Sequence, residues 1–214
     1  MRTLASLCGV AATSLVATSA SAAVFTGWTT SYTVNSAGDR VHSIYANFDV
    51  AGLIFLNCFD HEERAGAMGA KHNDMFTDVD GGVFGTWSPA GTNSGFNSTD
   101  SYVTATNNFG GGLTGTALDP SFNDDMGDHF NFHAGWYDAS PGTMNVMAIS
   151  HKVAQVVRSG SAADYRGFLK IGFKISNTTV ALFGNGEYTL PGVPAPGALA
   201  LLGIASLVSR RRRA

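Results

Sequence analysis

Gly167-Phe-Leu-Lys-Ile-Gly-Phe-Lys-Ile175 places Leu169, Ile171, Phe173 and Ile175 on one side and Lys170 and Lys174 on the other. A period of two is the signature of a strand with one buried face. Working outward, Arg40 to Val50 repeats the pattern, with His42, Ile44, Ala46, Phe48 and Val50 sharing a face. His129 to Tyr137 repeats it again with Phe130, Phe132, Ala134 and Trp136. Leu53 to Phe59 is nearly continuous in apolar residues, as in a strand covered on both sides. Residues 60 to 73, with Asp60-His-Glu-Glu-Arg64, read as a loop.

Val24 to Val34, Ser101 to Thr106, Thr178 to Phe183 and Tyr188 to Leu190 complete the series, and Met144 to Val157 reads as two strands rather than a helix. Most of the 26 glycines punctuate these runs. About nine short strands separated by turn signals predict an all-β fold. The expected architecture is a single antiparallel two-sheet β-sandwich, jelly-roll-like, between an N-terminal signal peptide and a short C-terminal hydrophobic helix.

The two ends differ in kind from the body. Arg2 precedes a small and apolar run from Leu4 to Ala17, and Ala20-Ser21-Ala22 fits a small-x-small cleavage pattern. Residues 1–22 are therefore read as a signal peptide, cut by signal peptidase after Ala22. At the other end, Pro194-Ala195-Pro196 leads into the apolar run Gly197 to Val208, and Arg210, Arg211, Arg212 and Arg213 follow. As a helix those 12 apolar residues reach about 18 Å, against a hydrocarbon core of about 30 Å. The arginines favour the cytoplasmic face, so both ends predict that the body, residues 23–190, is exported.

The body is one domain by length, large enough to bury about 70% of its unfolded surface. Cys58 is its one cysteine, so no intrachain disulfide is available. Once Arg2 and Arg210 to Arg213 are set aside, Lys plus Arg falls from 13 to 8 while all 16 acids remain, a net charge of −8. Nine Asp and no Lys or Arg lie between Lys71 and Lys152. An acidic body argues against nucleic-acid binding, which needs a basic patch.

The acidic stretch offers oxygen donors for Ca²⁺. Asp78 and Asp80 flank a Gly-terminated turn, and Asp119, Asn123, Asp124, Asp125 and Asp128 place five donors within ten residues. The same residues are ordinary turn formers. His129 and His133 would lie about 13 Å apart on a strand, too far to share one ion. Asp60-His-Glu-Glu63 lacks the second histidine of a zinc-protease helix.

Cys58, inside an aliphatic run, reads as a small buried hydrophobe rather than a nucleophile. No spacing of carboxylates singles out a glycosidase pair, and no reaction is assigned. Trp28, Trp87, Trp136, Tyr102 and Tyr137 are candidates to stack on sugar rings, Trp87, Trp136 and Tyr137 above all. The other role open to them is filling the core.

The C-terminal constellation of Pro194-Ala195-Pro196, Gly197 to Val208 and Arg210 to Arg213 resembles the PEP-CTERM sorting signal of Gram-negative bacteria that secrete exopolysaccharide. Ala195 stands where the family's naming motif has Glu. The resemblance covers residues 191–214 and implies processing near Pro194 to Pro196 by an exosortase-like membrane enzyme. It implies an inner-membrane-anchored precursor, and a mature protein at the cell surface or in an exopolysaccharide matrix. Arg40 to Asp49, Asp100 to Thr104, and Gly135 to Asp138 followed by Met144 to Val157 are similar to a body region that recurs in such proteins, with no activity attached to it. The leading expectation is thus a non-catalytic surface or matrix protein; the alternatives are a secreted saccharide-binding module and a secreted glycan hydrolase.

Overall fold

A computed structural model describes residues 23–72, 87, 100–105, 115–122, 128–139, 146–176 and 180–192. Ala20, Ala22, Pro194 to Pro196 and Arg210 to Arg213 lie outside the described residues, as do Asp78, Asp80, Asn123, Asp124 and Asp125. The described residues form ten strands and no α-helix. The strands are β1 (Phe25–Val34), β2 (Arg40–Phe48), β3 (Leu53–Ala65), β4 (Tyr102–Val103) and β5 (Thr116–Leu118). They continue with β6 (Trp136–Asp138), β7 (Val146–Met147), β8 (Ser150–Arg158), β9 (Tyr165–Lys174) and β10 (Leu182–Leu190). A 3-10 turn, Pro120–Phe122, lies between β5 and β6.

The strands make two antiparallel sheets, so the described residues are all-β and sandwich-like. One sheet runs β1-β2-β8-β4, the other β10-β9-β3-β6-β5, and β7 pairs with the start of β3. The alternating runs place their apolar faces between the sheets: Ile44, Ala46 and Phe48 of β2 and Leu169, Ile171 and Phe173 of β9 are all buried. Phe48 meets Phe173 edge-on at 4.9 Å between ring centres, a favoured aromatic geometry. At the edge of the sandwich β1 lies along β10, with Trp28 Nε1 donating to the Leu169 carbonyl at 3.1 Å and Thr30 Oγ1 to Thr189 O at 2.7 Å.

The structure corrects several local expectations. Asp60 to Arg64 is strand, not loop. A bulge between Phe59 and Glu62 interrupts the pairing of β3 with β9, and Asp60 takes a left-handed φ of 57°. One extra residue resets the alternation, so His61 turns inward while Glu62 to Arg64 face solvent. The charges that read as a loop are the outer face of a sheet.

His129 to Tyr137 is not a strand throughout, since β6 begins at Trp136. The segment before it wraps the bulge instead, with His133 N donating to His61 O at 2.8 Å and His61 N to Ala134 O at 3.3 Å. Phe132 is consequently 68% exposed rather than inward. Val50 and Ile175 are exposed because both lie just beyond their strands. Leu53 to Phe59 is covered chiefly on one face, since Ile54, Leu56, Asn57 and Phe59 are only half-buried.

The two final strands are one continuous β10. Its internal glycines make room for β1: a Cβ on Gly184 would overlap the Phe25 ring, and one on Gly186 would meet Trp28 Cδ1 at 3.3 Å.

Candidate functional site

The outer face of the six-stranded sheet carries the site. Strand pairing sets Phe183, Gly172, Asn57, Tyr137 and Ala117 side by side across β10, β9, β3, β6 and β5. Paired residues of an antiparallel sheet share a face. A Cβ on Gly172 would overlap Asn57 Oδ1 and meet Phe183 Cε1 at 3.4 Å, so the amide and the ring both lean over that glycine. Tyr137 is 43% exposed and Phe183 66%. Three inter-strand steps place their backbones about 14 Å apart. The result is two exposed rings with an amide in a glycine notch between them.

A second row runs alongside. Asn185 pairs with Lys170, and Lys170 with Phe59, whose ring meets Phe183 edge-on at 6.0 Å. Next to Phe59, Asp60 takes Lys170 on one carboxylate oxygen and His133 Nδ1 on the other. Lys170 first, then His133, hold the Asp60 carboxyl below the ordinary carboxylate range. Among the described residues, Asp60 and His133 are the two non-glycine residues with left-handed backbones, φ 57° and 64°. Such conformations persist where the surroundings over-determine them. Here the bulge on β3 and the loop folded against it hold each other.

Chemically, this face offers rings for flat apolar surfaces and amides for paired donors and acceptors. A cation and an anion in fixed register stand beside them.

Directly beneath lies a buried polar network that sequence reading missed. His61 Nε2 is 3.0 Å from Tyr165 Oη and 3.2 Å from Tyr188 Oη, and its Nδ1 is 3.4 Å from Asn131 O. Burial holds the His61 imidazole down to about 4 and raises both phenols. No local signal marks the network, because its partners stand far from His61 in the chain.

The structure separates the residues expected to bind ligand. Tyr137 lies on the open face. Trp87 and Trp136 are both wholly buried in an aromatic cluster with Phe122 and Phe130. Trp136 Nε1 donates to Thr104 O at 3.3 Å across the sandwich, and Trp87 receives the edge of His72 at 4.6 Å. Trp28 is part-buried against Phe25, and Tyr102 is buried beside Gln155. Large rings suit a core as well as a ligand, and along β6 the sheet alternation buries Trp136 and exposes Tyr137.

Of the Ca²⁺ candidates, Asp119 and Asp128 are described; the Asp128 carboxylate pairs with His129 at 2.8 Å. No group of three or more potential metal ligands converges among the described residues. His129 and His133 engage different carboxylates, Asp128 and Asp60. Cys58 is fully buried, and burial raises its thiol pKa well above the usual value.

No protein-family description, no characterised protein sequence and no solved structure matches the chain.

Proposed function

We propose that the chain is an exported, non-catalytic protein of the cell surface or exopolysaccharide matrix, carried on a jelly-roll-like sandwich. In this reading, residues 1–22 direct export and signal peptidase cuts after Ala22. Residues 191–214 form a PEP-CTERM-like signal whose short hydrophobic helix anchors the precursor in the inner membrane, with Arg210 to Arg213 on the cytoplasmic side. An exosortase-like enzyme then cuts near Pro194-Ala195-Pro196. The observation that carries the reading is the ordered coincidence of a proline motif, a 12-residue apolar run and four arginines behind an export leader.

The test is the intact mass of the protein recovered from envelope and medium of its native host. The expected species lacks residues 1–22 and everything after about Pro196. Recovery of the full arginine tail in the membrane fraction would overturn the sorting reading.

A second reading, saccharide binding, is favoured by the row Phe183-Gly172-Asn57-Tyr137. Sugar rings present one apolar face to an aromatic side chain and edge hydroxyls to amides. The expected result is that Tyr137→Ala together with Phe183→Ala weakens binding to the host's exopolysaccharide at least tenfold. Because both rings stand outside the core, the melting temperature should move by no more than a few degrees. Unchanged binding by the double variant would sink this reading.

A further inference from the structure

The chain leaves the sandwich through a clamp. The Leu190 carbonyl accepts Arg158 Nη1 at 3.0 Å, and the Pro191 carbonyl accepts Arg40 Nη1 at 2.9 Å. Gly192 N donates to Asp164 Oδ1 at 2.6 Å. A Cβ on Gly192 would overlap the backbone of Ala162 to Asp164. Three successive residues are thus tied in turn to β8, to β2 and to the β8–β9 turn.

All three ties lie at one end of the sandwich. There the β1–β2 turn meets the β8–β9 turn, with Gly160 seated against the Gly38 carbonyl. This end exposes small side chains, including Ser36, Ala37, Ser161 and Ala163, while Asp39 pairs with Lys71 and the exposed Asp164 carboxylate interacts with Arg158. The opposite end, at the β2–β3 turn and the ends of β7 and β9, exposes Val50, Val146, Ile149, Ile175 and Val180.

We infer that the clamp orients the domain in its tail-bearing precursor, so that the end with the β1–β2 and β8–β9 turns faces the lipid surface. The inference rests on the proposed anchoring of Gly197 to Val208. Four residues separate Gly192 from Gly197, and the five steps between them reach at most about 18 Å fully extended. The far end of β10 stands about 27 Å further from the clamp. Surface chemistry alone would turn the aliphatic end toward the bilayer. The clamp and the short reach hold that end away.

The exported precursor, residues 23–214, tests this, carrying a fluorophore on Ala37→Cys or on Ala51→Cys, both exposed turn positions. Cys58 is buried and stays unlabelled in the folded protein. The chain is reconstituted into phosphatidylethanolamine–phosphatidylglycerol vesicles bearing a headgroup-attached energy acceptor. Transfer from position 37 should exceed transfer from position 51 several-fold. A flexible Gly/Ser linker of about twenty residues after Gly192 should abolish the difference, because its mean span of about 25 Å frees the domain to tumble. Equal transfer from both positions without the linker, or greater transfer from 51, overturns the orientation. A difference that survives the linker overturns the clamp as its cause. Failure of the chain to float with the vesicles overturns the anchoring reading, and the orientation with it.

Discussion

Arg158→Met should lower the melting temperature by about 10 °C or more. Arg158 is 1% exposed and its guanidinium is spent on four backbone carbonyls. Nε donates to Met68 O at 2.6 Å, Nη1 to Leu190 O at 3.0 Å, and Nη2 to Ala67 O at 3.1 Å and Ala163 O at 2.7 Å. These bonds gather β8, the segment after β3, the β8–β9 turn and the end of β10 around one planar group. Methionine fills much of the volume but leaves the carbonyls without a donor. Each buried acceptor left unpaired costs about 1 kcal/mol or more, so a loss of about 4 kcal/mol is expected.

For a domain of this size, 1 kcal/mol moves the midpoint by about 2–4 °C. Arg158→Lys keeps the charge but has no planar fork to serve several directions, and should recover at most half of the loss. Thermal melts followed by near-ultraviolet circular dichroism read both. A midpoint for Arg158→Met within about 3 °C of the parent would show that the carbonyls find other donors.

Acid should unfold the protein between about pH 6.5 and pH 4. His61 and His151 are both wholly buried, and burial holds each imidazole down to about 4. The unfolded chain returns them to about 6.5. Between those values the unfolded state binds more protons, so stability is complete above pH 6.5 and drains away as the pH falls toward 4. Each histidine contributes up to about 3 kcal/mol across that window. Two together rival the whole stability of an ordinary domain, about 5–15 kcal/mol.

His42 is shifted the same way, by burial first and then by Arg158 and Arg40. The geometry agrees with neutral rings: His151 stacks on Phe55 at 5.5 Å and its Nε2 lies 3.2 Å from Ala105 O, while His61 Nε2 faces two phenols. Melting temperatures measured from pH 8 to pH 4 should therefore fall steeply below about pH 6.5. His151→Gln should flatten the fall by up to about 1.4 kcal/mol per pH unit, one proton's worth. A parent protein whose midpoint holds steady to pH 4.5 would refute the coupling.

The strands were legible wherever one face is apolar and pairing is regular. Arg40 to Phe48 and Tyr165 to Lys174 both keep their alternation because each lies inside its sheet between two partners. Reading failed at Asp60 and His133, where two left-handed residues shift the register. A bulge breaks the period of two without any residue type announcing it, since neither position is glycine. The exposed aromatic face was legible only in Tyr137. Phe183 passed unmarked because an aromatic in a strand reads equally well in either direction, and Asn57 because its neighbours suggested a strand covered on both sides. Trp87 and Trp136 were chosen for size, and size is also what fills a core.

The sequence by itself determined the fold class, the strands with clean periodicity and the chemistry of the two ends. These are local properties, carried by neighbours in the chain. The tertiary structure decided which aromatics are core and which are surface, and that His61 belongs with Tyr165 and Tyr188. It also decided that Arg158 and Arg40 fasten the last residues of the body. Those outcomes depend on which strands lie side by side: β3 is fixed between β9 and β6, and β8 between β2 and β4. Residues 32 to 151 positions apart meet there, and no periodicity within a single segment encodes such a meeting.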